Sequence, residues 1–229
     1  MFSKEVTASF SADRSTSGRV FEILRRMILT QELKPGERLV EAKIAKALQV
    51  SITPVRQAFA SLSAQGLLTV FPYRGTYVTI LTKEYAMDLF NVRAALEPKV
   101  VRMAFPHLKA EDADYLAQQC ELSDECNRNE DFLSSIEYDI LFHEFFFQKC
   151  GNALMYEIWN LIKNRVTFFQ CISRHNCQAE TPLLVTRHGE IIDAVRRMDE
   201  DALADAMTRH LFTTLARAMP PSADSVVYK

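Results

Sequence analysis

Four side chains in the second half of this chain could hold a metal ion. Asp139 and His143 stand four residues apart, one helical turn, so both point to one side of a helix. His188 and His210 follow on two later helical stretches. Each lies in the apolar stripe of its stretch: Phe132, Ile136, Ile140 and Phe147 around the first pair, Leu184, Ile191, Ile192 and Val195 around His188, Leu203, Met207, Leu211 and Leu215 around His210. Burying four such groups unpaired would cost on the order of several kcal/mol. A lone histidine on an apolar face is usually a satisfied core residue. Three with a carboxylate point to a divalent ion such as zinc, nickel or manganese, with positions left open for water or a ligand carboxylate. A rival cluster, Cys171, His175 and Cys177, sits at a helix end and lacks a fourth donor. His107 follows a proline and reads as solvated.

A second set of chemistry-bearing residues lies near the start. Residues 17–30, 41–48 and the stretch after Pro54 carry helical periodicity. Lys34-Pro35-Gly36 breaks the chain after the first helix, and Gln49-Val50-Ser51 turns it between the second and third. Thr53-Pro54 reads as an N-cap followed by a first-turn proline. The third helix buries Val55, Ala58, Phe59 and Leu62, which leaves Thr53, Arg56, Gln57 and Ala60 facing outward. Residues 68–71 and 76–80 then form a hairpin around Pro72-Tyr73-Arg74-Gly75. Helix, turn, helix and a wing with arginine at its tip is a device for placing one helix in a DNA major groove. Small helical domains also pack this way without touching DNA; the outward Arg56 and the basic wing favour the DNA reading.

Composition frames both sets. The 229 residues, 48% hydrophobic with only 6 Gly and 8 Pro, suit two modest, mainly helical domains. The net charge of −2 hides an asymmetry: 11 Lys/Arg against 6 Asp/Glu over residues 1–80, 16 against 23 over 81–229. A basic head on an acidic body fits a DNA reader joined to a body with another task. No run of 18 apolar residues and no apolar signal core are present, so neither a membrane nor export is expected. The 5 cysteines read as reduced thiols of a cytoplasmic protein.

The run PGERLVEAKIAKALQVSITPVRQAFASLSAQGLL, with RGTYV after it, resembles the DNA-binding head of the GntR family of bacterial transcription regulators. The resemblance implies DNA contacts from Ser51, Thr53 and Arg56 on the recognition helix and from Arg74 and Gly75 on the wing; Lys43, on the helix before, joins that set. Two positions depart from the family pattern. Ile52 stands where an arginine is usual, removing a contact worth roughly 1–3 kcal/mol of base discrimination. Gln49 stands where glycine is usual.

Beyond Thr82 the breaks delimit helices at 82–105, 110–127, 130–149, 153–174, 181–198 and 200–218. This half resembles the FadR-type branch of the same family, whose all-helical effector domain holds a metal by Asp-x-x-x-His plus two later histidines. Asp139, His143, His188 and His210 match in order and kind. Arg93 and Glu97, in NVRAALEPKVVRMA, match a recurrent Arg-x-x-x-Glu. If Arg93 faces the bundle centre it can grip a carboxylate with two parallel bonds; otherwise it pairs with Glu97 on the helix surface.

The expected organisation is a polar arm (1–16), a winged helix-turn-helix (17–80), a six-helix effector-binding bundle (81–219) and a tail (220–229). The expected protein is not an enzyme. It is a metal-containing homodimer that binds a palindromic double-stranded DNA operator, acts as a repressor, and responds to a small organic acid. A metal-dependent hydrolase and a DNA-binding protein with a purely structural metal are the alternatives.

Overall fold

The computed structural model describes residues 15–176 and 184–218. The chain divides after Leu81 into two compact units.

The first unit is built from α1 (Thr16–Leu29), β1 (Arg38–Leu39), α2 (Glu41–Leu48), α3 (Ile52–Ala64), β2 (Leu68–Phe71) and β3 (Gly75–Val78). Its core is Val20, Leu24 and Ile28 of α1 against Val55, Phe59 and Leu62 of α3, with α2 closing over Ile44 and Ala45. Leu48 of α2 is only half-buried. The strands form one antiparallel sheet in the order β1-β3-β2, with Arg38 opposite Tyr77 and Phe71 opposite Gly75. Sequence periodicity does not reveal β1, because two residues are too short to alternate.

The cap of α3 differs from the sequence expectation. Ser51 is the N-cap, in extended conformation, and Thr53 and Pro54 already lie in the first helical turn. Pro54 is tolerated there because first-turn N–H groups have no helical partner to lose. Gln49 closes α2 in the left-handed conformation, with φ 54°. That is why glycine suits this position, and glutamine stands there at a steric cost.

The second unit is helical: α4 (Lys83–Ala104), a single 3-10 turn (Phe105–His107), α5 (Asp112–Arg128), α6 (Phe132–Lys149), α7 (Ala153–Asn176), α8 (Leu184–Arg196) and α9 (Glu200–Ala218). The head and body together form the mainly helical, winged helix-turn-helix plus bundle architecture expected from sequence. In the bundle α4 packs on α6 and α9, α5 on α6 and α8, α6 on α7, and α8 on α9. Asp131 caps α6 by accepting a hydrogen bond from the Ser134 N–H, which starts that helix later than its sequence pattern suggests. The α6 segment is buried on more than one face: Phe142, Phe145, Phe146 and Phe147 are all inside. Phe132, assigned to the core stripe from sequence, is instead 42% exposed, with the Arg174 guanidinium over its ring. Leu215 is only half-buried, and the side chain of Leu184 lies outside the described residues. No described helix is long and apolar enough to cross a membrane.

Candidate metal centre and nucleic-acid interface

In the bundle, α6, α8 and α9 bring His143, His188 and His210 to one point. Each offers a nitrogen, and these atoms all lie within 4.8 Å of one another. The rings of His188 and His210 are 4.1 Å apart at their centroids, and those of His143 and His210 are 5.2 Å apart. All three side chains are buried. Asp139, one turn before His143, joins at the edge: its Oδ1 is 3.4 Å from His188 Nε2, and its Oδ2 accepts a hydrogen bond of 2.6 Å from Gln170 on α7.

The donor set suits a metal. His143 Nε2 and His188 Nε2 are 3.5 Å apart, and the Asp139 contact to His188 is similar. Ligands held at about 2.0–2.2 Å around one ion sit at such mutual separations. One nitrogen of each ring is offered to that point, and in a neutral imidazole that atom either donates or accepts, so the three cannot all pair with one another there. A divalent cation would be held by all of their lone pairs at once.

Two residues on α4 stand behind the centre. Glu97 Oε2 lies 2.7 Å from His143 Nδ1. Its other oxygen takes the Arg93 Nε at 2.5 Å. Burial alone would raise the Glu97 carboxyl, but the Arg93 guanidinium, followed by His143, outweighs it and holds the group at about 2. Arg93 does pair with Glu97, yet not on the helix surface: it is 1% exposed, and its Nη2 is buried without a partner. The role of Glu97 as a partner of His143 was missed from sequence, since nothing in the spacing of 97 and 143 links them. Gln170, on α7, carried no sequence signal either.

The rival cluster lies partly outside the described residues. Cys171 is a buried thiol of α7, while Cys177 and the His175 side chain lie outside the described residues. His107 is exposed, as expected.

In the head, Ser51, Thr53 and Arg56 are all exposed at the N-terminal end of α3, Lys43 is exposed on α2, and Arg74 is exposed at the wing tip next to Gly75. Arg56 is not idle: its Nε donates to Glu41 Oε2 at 3.2 Å, across from α2, while its side chain stays 68% exposed. Gly75 has φ 116°, so the backbone calls for glycine; a Cβ there would meet only the flexible Arg38 side chain, its Nε at 3.0 Å.

Comparison with known proteins agrees with both halves. Residues 16–78 match the profile of bacterial regulatory proteins of the gntR family, and residues 88–213, more than half the chain, match that of the FCD domain. The chain is 28% identical over 211 residues to the HTH-type transcriptional repressor RspR of Escherichia coli (strain K12), with 90% of each chain covered. It is similar in structure to a GntR-type transcriptional regulator from Rhodococcus sp. RHA1, with a TM-score of 0.75 and 27% identity over 91% of this chain and 99% of that one. Escherichia coli McbR/YncC shares the fold, with a TM-score of 0.74 at 21% identity over 90% of this chain and 97% of that one. Members of this family are DNA-binding regulators rather than enzymes. A DNA-reading winged head and a helical FCD body with a buried histidine triad are the two parts of one design, and the chain belongs to the GntR family of bacterial transcription regulators, in the branch that carries an FCD domain.

Proposed function

We propose that this regulator holds one divalent metal ion, zinc, nickel or manganese, between His143, His188 and His210, with Asp139 beside His188. A small organic acid bound at that centre then changes its affinity for a palindromic operator read by a homodimer. The observation that carries the reading is the buried triad with its Arg93–Glu97 support. Bound there, the ion supplies net positive charge and sites for an anionic oxygen. His143 is aimed by Glu97, Asp139 is steadied by Gln170, and the free Nη2 of Arg93 is a donor for a carboxylate. Because the Arg93 Nε is engaged by Glu97, the acid is met by one terminal nitrogen rather than by the full fork.

In the head, Ser51, Thr53 and Arg56 face the major groove, with Lys43, Arg74 and the Gly75 backbone on the phosphates or minor groove. Two heads related by a two-fold axis double a short half-site. An acid that binds the operator-free regulator more tightly than the operator-bound form releases DNA by that difference in affinity. RspR is a repressor by name, and repression relieved by the acid is the corresponding sign here. A chromosomal regulator with reduced thiols works in the cytoplasm.

The test is operator affinity of the full chain on a duplex selected from a random pool, across a panel of small mono- and dicarboxylic acids. At least one acid is expected to shift Kd by about 5- to 150-fold with metal bound, and Arg93→Lys, which keeps the charge but not the planar group, should blunt that shift. Metal-loaded protein whose operator affinity no acid moves would make the metal purely structural.

A further inference from the structure

The face of α3 turned away from the core carries Ser51, Thr53, Arg56, Gln57 and Ala60, which are polar or small, and one large apolar residue, Ile52. Ile52 is 41% exposed, whereas Val55, Ala58, Phe59 and Leu62 on the inner face are almost wholly buried. A lone exposed isoleucine elsewhere would mean little. This one opens the helix and lies four residues before Arg56 on the same stripe. The N-terminal residues of a recognition helix are those that reach base edges.

The groove floor offers four donor/acceptor patterns and one apolar feature, the 5-methyl of thymine. An isoleucine presents no hydrogen-bonding group, so it gains nothing from guanine, adenine or cytosine edges and leaves their polar atoms to be desolvated unpaired. It gains by excluding water from a methyl. We propose that Ile52 is a specificity-determining residue that reads a thymine methyl in each operator half-site, next to the base or phosphate taken by Arg56. The proposal rests on the reading of α3 as the recognition helix in the proposed function and adds the identity of one base.

Replacing thymine by deoxyuridine removes the methyl and nothing else, which makes the test specific. The full chain is used on a duplex selected from a random pool, with each thymine exchanged singly. At one thymine per half-site the exchange should weaken binding about three- to fivefold, the worth of burying one methyl, and exchange in both half-sites should give roughly the square of that. Ile52→Ala, an exposed change that leaves the core alone, should bind thymine and deoxyuridine duplexes alike. Ile52→Arg should move the selected base at that position to guanine. Parent protein indifferent to every exchange overturns the proposal, and so does Ile52→Ala with undiminished sensitivity. Failure to enrich any duplex would instead strike the DNA-reading function beneath it.

Discussion

The Glu97 carboxylate stands between two cationic or proton-bearing groups, with Oε2 2.7 Å from His143 Nδ1 and Oε1 on the Arg93 Nε. A carboxylate oxygen that close to a ring nitrogen requires the proton to be on Nδ1, since two lone pairs would repel. That leaves the His143 Nε2 lone pair facing His188 Nε2, the direction a metal needs. Asp139 gains a comparable partner in Gln170. The centre is therefore aimed by residues that do not belong to it.

Glu97→Gln is expected to destabilise the metal-free protein by about 3–5 kcal/mol, because it leaves Arg93 buried without its counter-charge. The pH dependence has a definite sign. Glu97 lies at about 2 in the folded chain against an ordinary 4.5, a depressed value, so its contribution is fully present above about 4.5 and fades as pH falls through about 2. Denaturant unfolding from pH 6 down to pH 2 should show a steeper acid loss in the parent than in Glu97→Gln. Parallel acid limbs would mean that the Arg93–Glu97–His143 contact does not hold in solution.

Much of this architecture was legible in the sequence because periodicity reports which face of a helix is buried. Val55, Ala58, Phe59 and Leu62 define α3, and the stripes around His188 and His210 put both inside. What stayed hidden is what periodicity does not encode. Phe142, Phe145 and Phe146 lie off the α6 stripe, and they are buried because neighbours cover that helix on several sides. Spacing alone leaves open whether Arg93 faces the bundle centre or pairs with Glu97 on the helix surface; packing of α4 against α6 places both inside, still paired. Thr-Pro is a strong local signal for a cap at Thr53, and the backbone overrides it by capping α3 at Ser51.

Gln49→Gly should stabilise the head by about 1 kcal/mol, since it relieves a left-handed glutamine at the α2–α3 turn. The rise in melting temperature of the full chain checks it. An unchanged or lowered value would show that the entropy glycine adds to the unfolded chain outweighs the relief.

Arg56→Ala is expected to cost about 1–3 kcal/mol on a selected operator and to relax preference at one base pair. Arg74→Ala should weaken binding more evenly across sequences and lower the salt slope by about one unit. Glu41→Gln frees Arg56 from its 3.2 Å partner and removes a negative charge beside the DNA face, so binding to random duplex should tighten while the ratio of specific to random binding falls. Operator and random-duplex titrations at several salt concentrations separate the three. Loss of all binding in Glu41→Gln would mean that Glu41 is needed to hold α2 against α3.

The Cys126 thiol is pushed up by partial burial and by the nearby Asp131 and Glu125 carboxylates. Alkylation of Cys126 by iodoacetamide at pH 8 should be slower than for free cysteine and should catch up as pH rises. Peptide-resolved labelling reads it, and equal rates at pH 8 would contradict the shift.

The central claim is that one divalent ion sits among His143, His188 and His210. Elemental analysis of the purified full chain, dialysed free of loosely held ions, tests it most directly. The account expects about one zinc, nickel or manganese per chain in the parent, strong loss in His143→Ala and His210→Ala, and retention in Cys171→Ser and Cys177→Ser. A parent chain that takes up no divalent ion, or a metal that survives both histidine changes and leaves with the cysteines, would contradict it.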